Sequence, residues 1–470
     1  MNKKKELTKN TIILMMGKIF TQFLSFFLLP LYTRFLPASD YGLVDLLLTY
    51  ISLFAPVVTV QQEMATFRFL IDARGDEKKK ATIIKTSFRN SLTRLLIFAV
   101  PCLTVALFVK WHYSYLILAS GIAMSVSSLL LQIARGIGKN TKYSIASVLS
   151  GIVTIVSNLL LICVFHFGAE SILISMALAN IVCSLFLIFA LNIPHYFSLV
   201  KSDKKLTKEM LRYSWPLVPN GISWWLINAS DRTIVSSILG TAANGIYAVA
   251  LKFPSIISSF LNIFVMAWTE SASVHINDKD RDEFFSSIAA NTVRIFSSLS
   301  LLVIAVMPFV FDIIIGSEYR AAYDYIPVAI LGVLLNCMVS VYSAIYVAKK
   351  MTKQVASTSV ISAVINIVVD LALINFVGLY AAVISTAVAF AAMAIYRHFD
   401  LKKYVKIKYR ATDIILAVAG FVIVSTLYYL GNFYGFVAGA IFAMLYAVVV
   451  NRRIIRKTTK RIGRVFYRDN

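Results

Sequence analysis

Charge is scarce in this sequence. Only 15% of its 470 residues are Asp, Glu, Lys or Arg, against 59% hydrophobic. Acids are scarcer still: 23 Asp and Glu face 46 Lys and Arg, a formal net charge of +23. Such a surplus suggests nucleic acid, but a soluble fold this apolar could not cover its surface with polar groups. Cysteine is also rare. Cys102, Cys163, Cys183 and Cys337 are scattered through apolar stretches without a CxxC spacing, which excludes a disulfide scaffold or thiolate metal site and leaves small buried hydrophobes. No polar stretch is long enough for a soluble nucleotide-binding or glycosyltransferase domain. No HExxH, GxSxG or Walker motif occurs on an aqueous segment, so the sequence does not read as an enzyme and no cofactor is expected.

What is abundant is uninterrupted apolar chain. Tyr113–Ala134, Ser171–Val200, Tyr325–Ala348 and Ile414–Asn451 contain no formal charge. Runs of about 18 or more such residues mark membrane-spanning helices. The first run, from about Thr11 to Thr33, is too long for a signal peptide's apolar region and reads as a retained span. The pattern predicts an all-α polytopic membrane protein with spans near 11–33, 41–63, 90–109, 113–134, 143–165, 170–194, 213–237, 246–269, 289–315, 325–348, 355–375, 377–396, 412–430 and 433–450. The closest pairs are divided by the turn signals Asn375–Gly378 and Gly431–Gly435.

The basic residues test this count of fourteen. With the N-terminus in the cytoplasm, 38 of 46 fall on cytoplasmic segments and three (Arg34, Lys110, Arg320) on outside loops, as the positive-inside rule requires. A miscounted helix would scramble that division. Both termini are therefore expected in the cytoplasm. The five remaining bases, Lys18, Arg94, Arg232, Lys252 and Arg294, lie inside spans. The Lys/Arg-rich tail, Arg452–Arg468, reads as a topology signal that touches anionic lipid, with no role for nucleic acid.

An internal repeat is also present. Leu36-Pro37-Ala38-Ser39-Asp40-Tyr41-Gly42-Leu43 is echoed by Leu239-Gly240-Thr241-Ala242-Ala243-Asn244-Gly245-Ile246. Asn90 and Arg94 are echoed by Asn291 and Arg294. Thr141-Lys142 matches Thr352-Lys353, and Val148–Leu161 aligns without gaps to Val360–Leu373, which sets Asn158 opposite Asp370. The order of the matches predicts a six-helix bundle over 1–200, a second over 201–400, and two extra helices with a basic tail over 401–470. Both repeats start on the same side, so they are parallel repeats about an axis along the membrane normal. That is a secondary-transporter plan, with a central cavity between halves that rock.

Arg34-Phe35-Leu36-Pro37-Ala38-Ser39-Asp40-Tyr41-Gly42 resembles the first-loop motif of bacterial polysaccharide-repeat-unit flippases of the Wzx type. So do Trp215-Pro216-Leu217-Val218-Pro219, Asp231-Arg232 and Gly245-Ile246-Tyr247-Ala248-Val249-Ala250. These flippases belong to the multidrug/oligosaccharidyl-lipid/polysaccharide exporter superfamily, together with multidrug extruders and the lipid II flippase. The resemblance covers essentially the whole chain. It implies a lipid-linked oligosaccharide substrate on an undecaprenyl pyrophosphate carrier, moved from the inner to the outer leaflet of the bacterial cytoplasmic membrane, with polysaccharide polymerase machinery as a partner. It also implies that spans thirteen and fourteen help form a groove for the lipid tail.

A pyrophosphate crossing a low-dielectric layer needs fixed cations in a wet cavity, and charges inside a membrane are functional candidates by default. Lys18, Arg232 and Lys252 are the stronger substrate-binding candidates. Arg94 and Arg294 sit near span ends where long side chains snorkel to water. Asp370, deep in span eleven, is a candidate for Na+ or H+ coupling or a structural pair to a cavity cation. Asp231 cannot face its neighbour Arg232 on a helix and is expected to pair with another span. Asp45, Glu63 and Glu270 read as structural or gate charges. Pro216 and Pro219 remove hydrogen bonds where span seven starts and are candidate hinge residues. Trp224 and Trp225 suit sugar stacking as well as core packing. A drug/cation antiporter of the same superfamily is the main alternative, but it calls for an acid-dominated cavity. The lipid II flippase is a second. An integral-membrane polymerase is a third, but it calls for a large outer loop that this chain lacks.

Overall fold

The computed structural model describes residues 26–109, 111–200 and 202–466. Their regular structure is entirely helical. Inside a bilayer no water is available to bond exposed N–H and C=O groups, and a helix satisfies them within one segment. Eleven helices are long and apolar enough to cross a membrane, and they coincide with eleven of the fourteen expected spans. Of the other three, the first lies mostly outside the described residues, the second is broken, and the seventh is a 22-residue helix over Leu217–Ile238. The chain divides into two compact units, Met1–Gly245 and Ile246–Asn470.

Unit 1 contains α1 (Leu29–Phe35), α2 (Ala38–Ile51), α3 (Phe54–Val57), α4 (Gln62–Asp72), α5 (Glu77–Val109), α6 (Tyr113–Gly136), α7 (Asn140–Leu159), α8 (Glu170–Ala190), α9 (Ile193–Leu199), α10 (Lys204–Ser214) and α11 (Leu217–Ile238). Helix α8 packs against both α6 and α7. Small polar residues join these apolar surfaces, as packing between helices in lipid favours. Ser120 Oγ donates to the Leu173 carbonyl at 3.0 Å, and Thr66 bonds Ser87 at 2.8 Å. The basic residues that mark one face of the chain also cap helix ends there. Arg74 donates to the Gly136 and Arg135 carbonyls at the end of α6, and Lys85 to those of Phe197 in the last turn of α9 and Val200 just beyond it. A cation suits the negative end of the helix dipole.

The next helices are α12 (Thr241–His275), α13 (Arg281–Ile314), α14 (Ala322–Ala348), α15 (Thr352–Val377), α16 (Tyr380–Leu401), α17 (Ala411–Tyr429) and α18 (Phe433–Phe466). All but the first turn of α12 belongs to unit 2. Helix α16 packs against α14 and α15 as α8 does against α6 and α7, so the sequence repeat recurs as the same packing. The predicted turns fall between helices: Gly378 (φ 56°) ends α15 and Gly431 (φ 68°) separates α17 from α18. Glycine takes these left-handed conformations without the Cβ penalty. The two extra helices lie on α13.

One contact in unit 1 brings the repeat-matched octapeptides together. A methyl on Gly42 would collide with the Thr241 carbonyl oxygen, and one on Gly245 with that of Ala38. Asn244 Nδ2 donates to the Gly42 carbonyl at 2.7 Å. The start of α2 thus meets the start of α12 through paired small-xxx-small faces, a geometry that lets helix backbones touch.

Candidate functional site

Unit 1 has an open, cleft-like cavity of about 580 Å³ whose wall includes Asp45, Thr49, Gln61, Gly221, Trp225 and Arg232. Arg232 of α11 donates through Nε to Asp45 Oδ2 of α2 at 2.7 Å. Asp45 is therefore an ion-pair partner of this in-span cation. Asp231, the neighbour in sequence, is buried. Trp225 donates its indole N–H to the Thr49 carbonyl at 2.7 Å and lies against Tyr50, ring centroids 5.5 Å apart. Tyr50 in turn bonds Thr233. The wall therefore combines hydroxyl and amide groups, an indole face and one neutralised ion pair.

The cavity exists because the second span is not continuous. Helix α2 stops at Ile51, α3 covers one turn, and Val60 and Gln61 both adopt φ 55° before α4 begins. Two successive non-glycine residues in the left-handed region, one of them β-branched, carry real strain. Arg94 of α5 stabilises the break. It donates to the Thr59 carbonyl at 2.8 Å and to Gln62 Oε1 at 3.0 Å, while Thr59 bonds the buried Glu63 at 2.9 Å. Gly221 leaves room for the break: a Cβ there would lie 2.6 Å from Gln61 Nε2 and 2.9 Å from Pro56. Arg94 therefore satisfies backbone freed by the broken helix, a use that snorkelling does not describe.

The other candidate residues are dispersed. Lys18 lies outside the described residues, as does the side chain of Trp224. Lys252 is half-buried on α12 in unit 2, two residues before Pro254, which lies within that helix. Asp370 is fully buried on α15, and its repeat partner Asn158 is equally buried on α7. One turn before Asp370, Asn366 donates to Ser385 and Thr386 of α16. Pro216 caps α11 and Pro219 lies in its first turn, where a missing N–H costs no helical bond. The bend at this point is the Trp215–Pro216 break between α10 and α11.

Arg294 of α13 is clamped by Asp413 of α17, Nε to Oδ1 at 3.0 Å and Nη2 to Oδ2 at 2.8 Å. Beside this pair unit 2 has a polar cavity of about 970 Å³. An apolar groove of about 390 Å³ adjoins it, formed by α13, α14, α16 and α17. Tyr409, in the chain between α16 and α17, lines both. Its hydroxyl meets that of Tyr342 at 2.8 Å, and Tyr342 also bonds His398 at 3.2 Å. Burial, reinforced by Tyr342, pushes the Tyr409 phenol well above its usual range, so it remains a neutral hydrogen-bonding group.

Arg397 is one of the 38 basic residues expected on cytoplasmic segments, yet it is 1% exposed. It belongs to α16 and donates to Thr358, Ser359, Ser343 and the carbonyls of Val339 and Val355. The available signal was the cluster of hydroxyl residues Ser343, Thr358 and Ser359 on neighbouring helices. Asp413 was missed because it starts a span, where a carboxylate resembles an ordinary first-turn acid.

Comparison with known proteins bears on the family and the fold. A family model described as polysaccharide biosynthesis protein matches residues 7–269, and one described as MatE matches residues 216–372. No curated protein sequence matches the chain. Among solved structures, the fold is similar to that of the lipid II flippase MurJ in an inward closed conformation. The TM-score is 0.69 at 15% identity, over 95% of this chain and 100% of that one. It is also similar to an inward-facing multidrug resistance MATE family transporter of the MOP superfamily, with a TM-score of 0.61 at 15% identity over 82% and 98% of the two chains. The Vibrio cholerae MATE transporter VcmN gives 0.58 at 13% identity over 85% and 96%.

Proposed function

Because the chain belongs to the polysaccharide biosynthesis protein family, and is a multi-pass membrane transporter of the flippase superfamily, we propose the following activity. It translocates an undecaprenyl-pyrophosphate-linked oligosaccharide repeat unit, of capsule, teichoic acid or O-antigen type, from the inner to the outer leaflet by alternating access. On this reading the protein resides in the bacterial cytoplasmic membrane with both ends in the cytoplasm and delivers its cargo to polysaccharide polymerase machinery.

The observation that carries the reading is the wall of the unit 1 cavity. Thr49, Ser52, Gln61 and the Trp225 indole are groups that hydrogen-bond and stack on sugars. Arg232 supplies a planar donor fork suited to phosphate, its charge balanced by Asp45 until a second anion competes. Lys18 and Lys252 are the further proposed pyrophosphate contacts. Asp370 is the proposed group for Na+ or H+ coupling. A cationic drug favours an excess of carboxylate, whereas among the described residues of this wall the one carboxylate is matched by a guanidinium.

The test is transport in proteoliposomes loaded with a labelled undecaprenyl-pyrophosphate oligosaccharide, read by lectin access to the opposite leaflet. The expected result is protein-dependent exposure that Arg232→Ala lowers at least tenfold at equal protein level. Movement of a cationic dye in place of the oligosaccharide would establish the antiporter reading. Movement of lipid II alone would establish the lipid II reading.

A further inference from the structure

We propose that unit 2 carries a dedicated binding site for one anionic membrane phospholipid, with its phosphate in the polar cavity and a chain in the adjoining apolar groove. The inference requires only that the chain spans a membrane and does not depend on the proposed substrate.

The site is built by the segment that links α16 to α17. Residues 405–410 form no helix, and their side chains alternate between buried and more exposed along the chain. Val405 and Ile407 are buried in the core of unit 2, while Lys406, Lys408 and Arg410 are exposed along the polar cavity. The segment is fixed in this register. The Lys408 N–H donates to Ser286 Oγ at 2.9 Å, and Arg281 Nη2 donates to the Tyr404 carbonyl at 3.2 Å.

Charges around the cavity are distributed unequally. Its wall also holds Asp280, Asp282 and Glu283, so it is not uniformly positive. Asp282 is already met by Arg281 at 3.3 Å, and Arg294 by Asp413. Among the described residues, no carboxylate lies within ion-pair distance of Lys406, Lys408 or Arg410. Three cations along one edge repel one another, and a phosphate would relieve that repulsion through charge-assisted hydrogen bonds.

The second half of the site is apolar. Tyr409 stands between Lys408 and Arg410 and lines the groove as well as the cavity. Beyond it the groove presents Ile395, Phe399 and Val418, all more than half exposed. The Tyr342–Tyr409 hydrogen bond holds the junction in place. A row of cations, a fixed phenol and an open apolar channel follow in the order that an anionic phospholipid presents phosphate, glycerol and chain. Membranes retain such lipids at juxtamembrane cations by about 1 kcal/mol for each Lys or Arg, and the groove adds chain contacts that a loose surface patch lacks.

The experiment uses the full chain, purified in mild detergent, with lipid retention measured by native mass spectrometry. Phosphatidylglycerol is compared with phosphatidylcholine of the same chains, and with sn-glycerol phosphate as the free anion. Retention of phosphatidylglycerol should exceed that of phosphatidylcholine about tenfold or more. The triple variant K406Q/K408Q/R410Q should lose roughly fivefold for each cation removed. The control triple K204Q/K205Q/K208Q on α10 removes the same charge elsewhere and should change retention less than threefold. V418W, which fills the groove, should weaken phosphatidylglycerol binding with all cations intact. If the cavity triple fails to fold, K408Q alone is measured against K205Q. The proposal is overturned if the cavity and control variants behave alike, if phosphatidylcholine binds equally, or if glycerol phosphate displaces the lipid at equal concentration.

Discussion

At the scale of single residues, Arg232 and Asp45 illustrate how a membrane cation is tolerated and kept usable. Their 2.7 Å pair is partly exposed, about a fifth of the Arg232 side chain remaining accessible. Its carboxylate partner is therefore open to competition from another anion. Replacing Asp45 with Asn should leave the guanidinium without its counter-charge and bind a pyrophosphate more tightly but release it more slowly. In a vesicle assay the apparent KM for the lipid-linked substrate should fall several-fold, and the maximal rate with it; a rise in KM would contradict this. Asp370 is buried where its repeat partner is the neutral Asn158. Asp370→Asn thus converts unit 2 to the chemistry already present in unit 1. If Asp370 couples transport to Na+ or H+, the variant should still bind substrate and lose its response to an imposed ion gradient. Full transport with an intact gradient response would remove the coupling role.

At the scale of elements, the broken second span is the feature most open to measurement. A residue in the left-handed region costs about 1–2 kcal/mol unless it is glycine, and Val60 and Gln61 both occupy it. Val60→Gly should raise the unfolding temperature in detergent by a few degrees and lower the transport rate, because the strain holds the cavity open. An unchanged unfolding temperature would show that no such strain exists. The crossing of α2 and α12 predicts the opposite sign. Gly42→Val or Gly245→Val places methyl groups against the Thr241 or Ala38 carbonyl, so either should lower folded yield sharply, whereas Gly75→Ala, open on all sides, tests only the left-handed turn.

At the scale of the whole molecule, the chain consists of two units that share one three-helix packing pattern, with a pair of helices packed on α13 of the second. The additions are bound by specific polar contacts. Arg294 is clamped by Asp413, Ser297 meets Tyr446 at 2.9 Å, and Asn451 donates to Ser298 at 2.8 Å. Arg294→Ala and Asp413→Ala should each lower the unfolding temperature. Their double-mutant cycle should give a coupling of about 1–3 kcal/mol, and strict additivity would show that the pair does not hold α17 in place.

The linear sequence determined what depends on local composition: a membrane fold, the positions of eleven apolar helices, the turns at Gly378 and Gly431, the repeat, and one strongly basic face. Bilayer insertion reads apolar length and flanking charge segment by segment, so these properties need no knowledge of neighbours. What only the tertiary structure decided is which charge meets which. Arg94 and Arg294 are equivalent in sequence, yet one satisfies a strained turn and the other an ion pair with a helix 119 residues away. Arg397 counts among the cations expected on cytoplasmic segments and is enclosed by three helices. Pro56 marks the interrupted span, but the left-handed turn at Val60–Gln61 carries no glycine to announce it. It persists because Arg94, Thr59 and Glu63 from two elements supply hydrogen bonds that a continuous helix would have kept to itself, and that exchange exists only after the helices have packed.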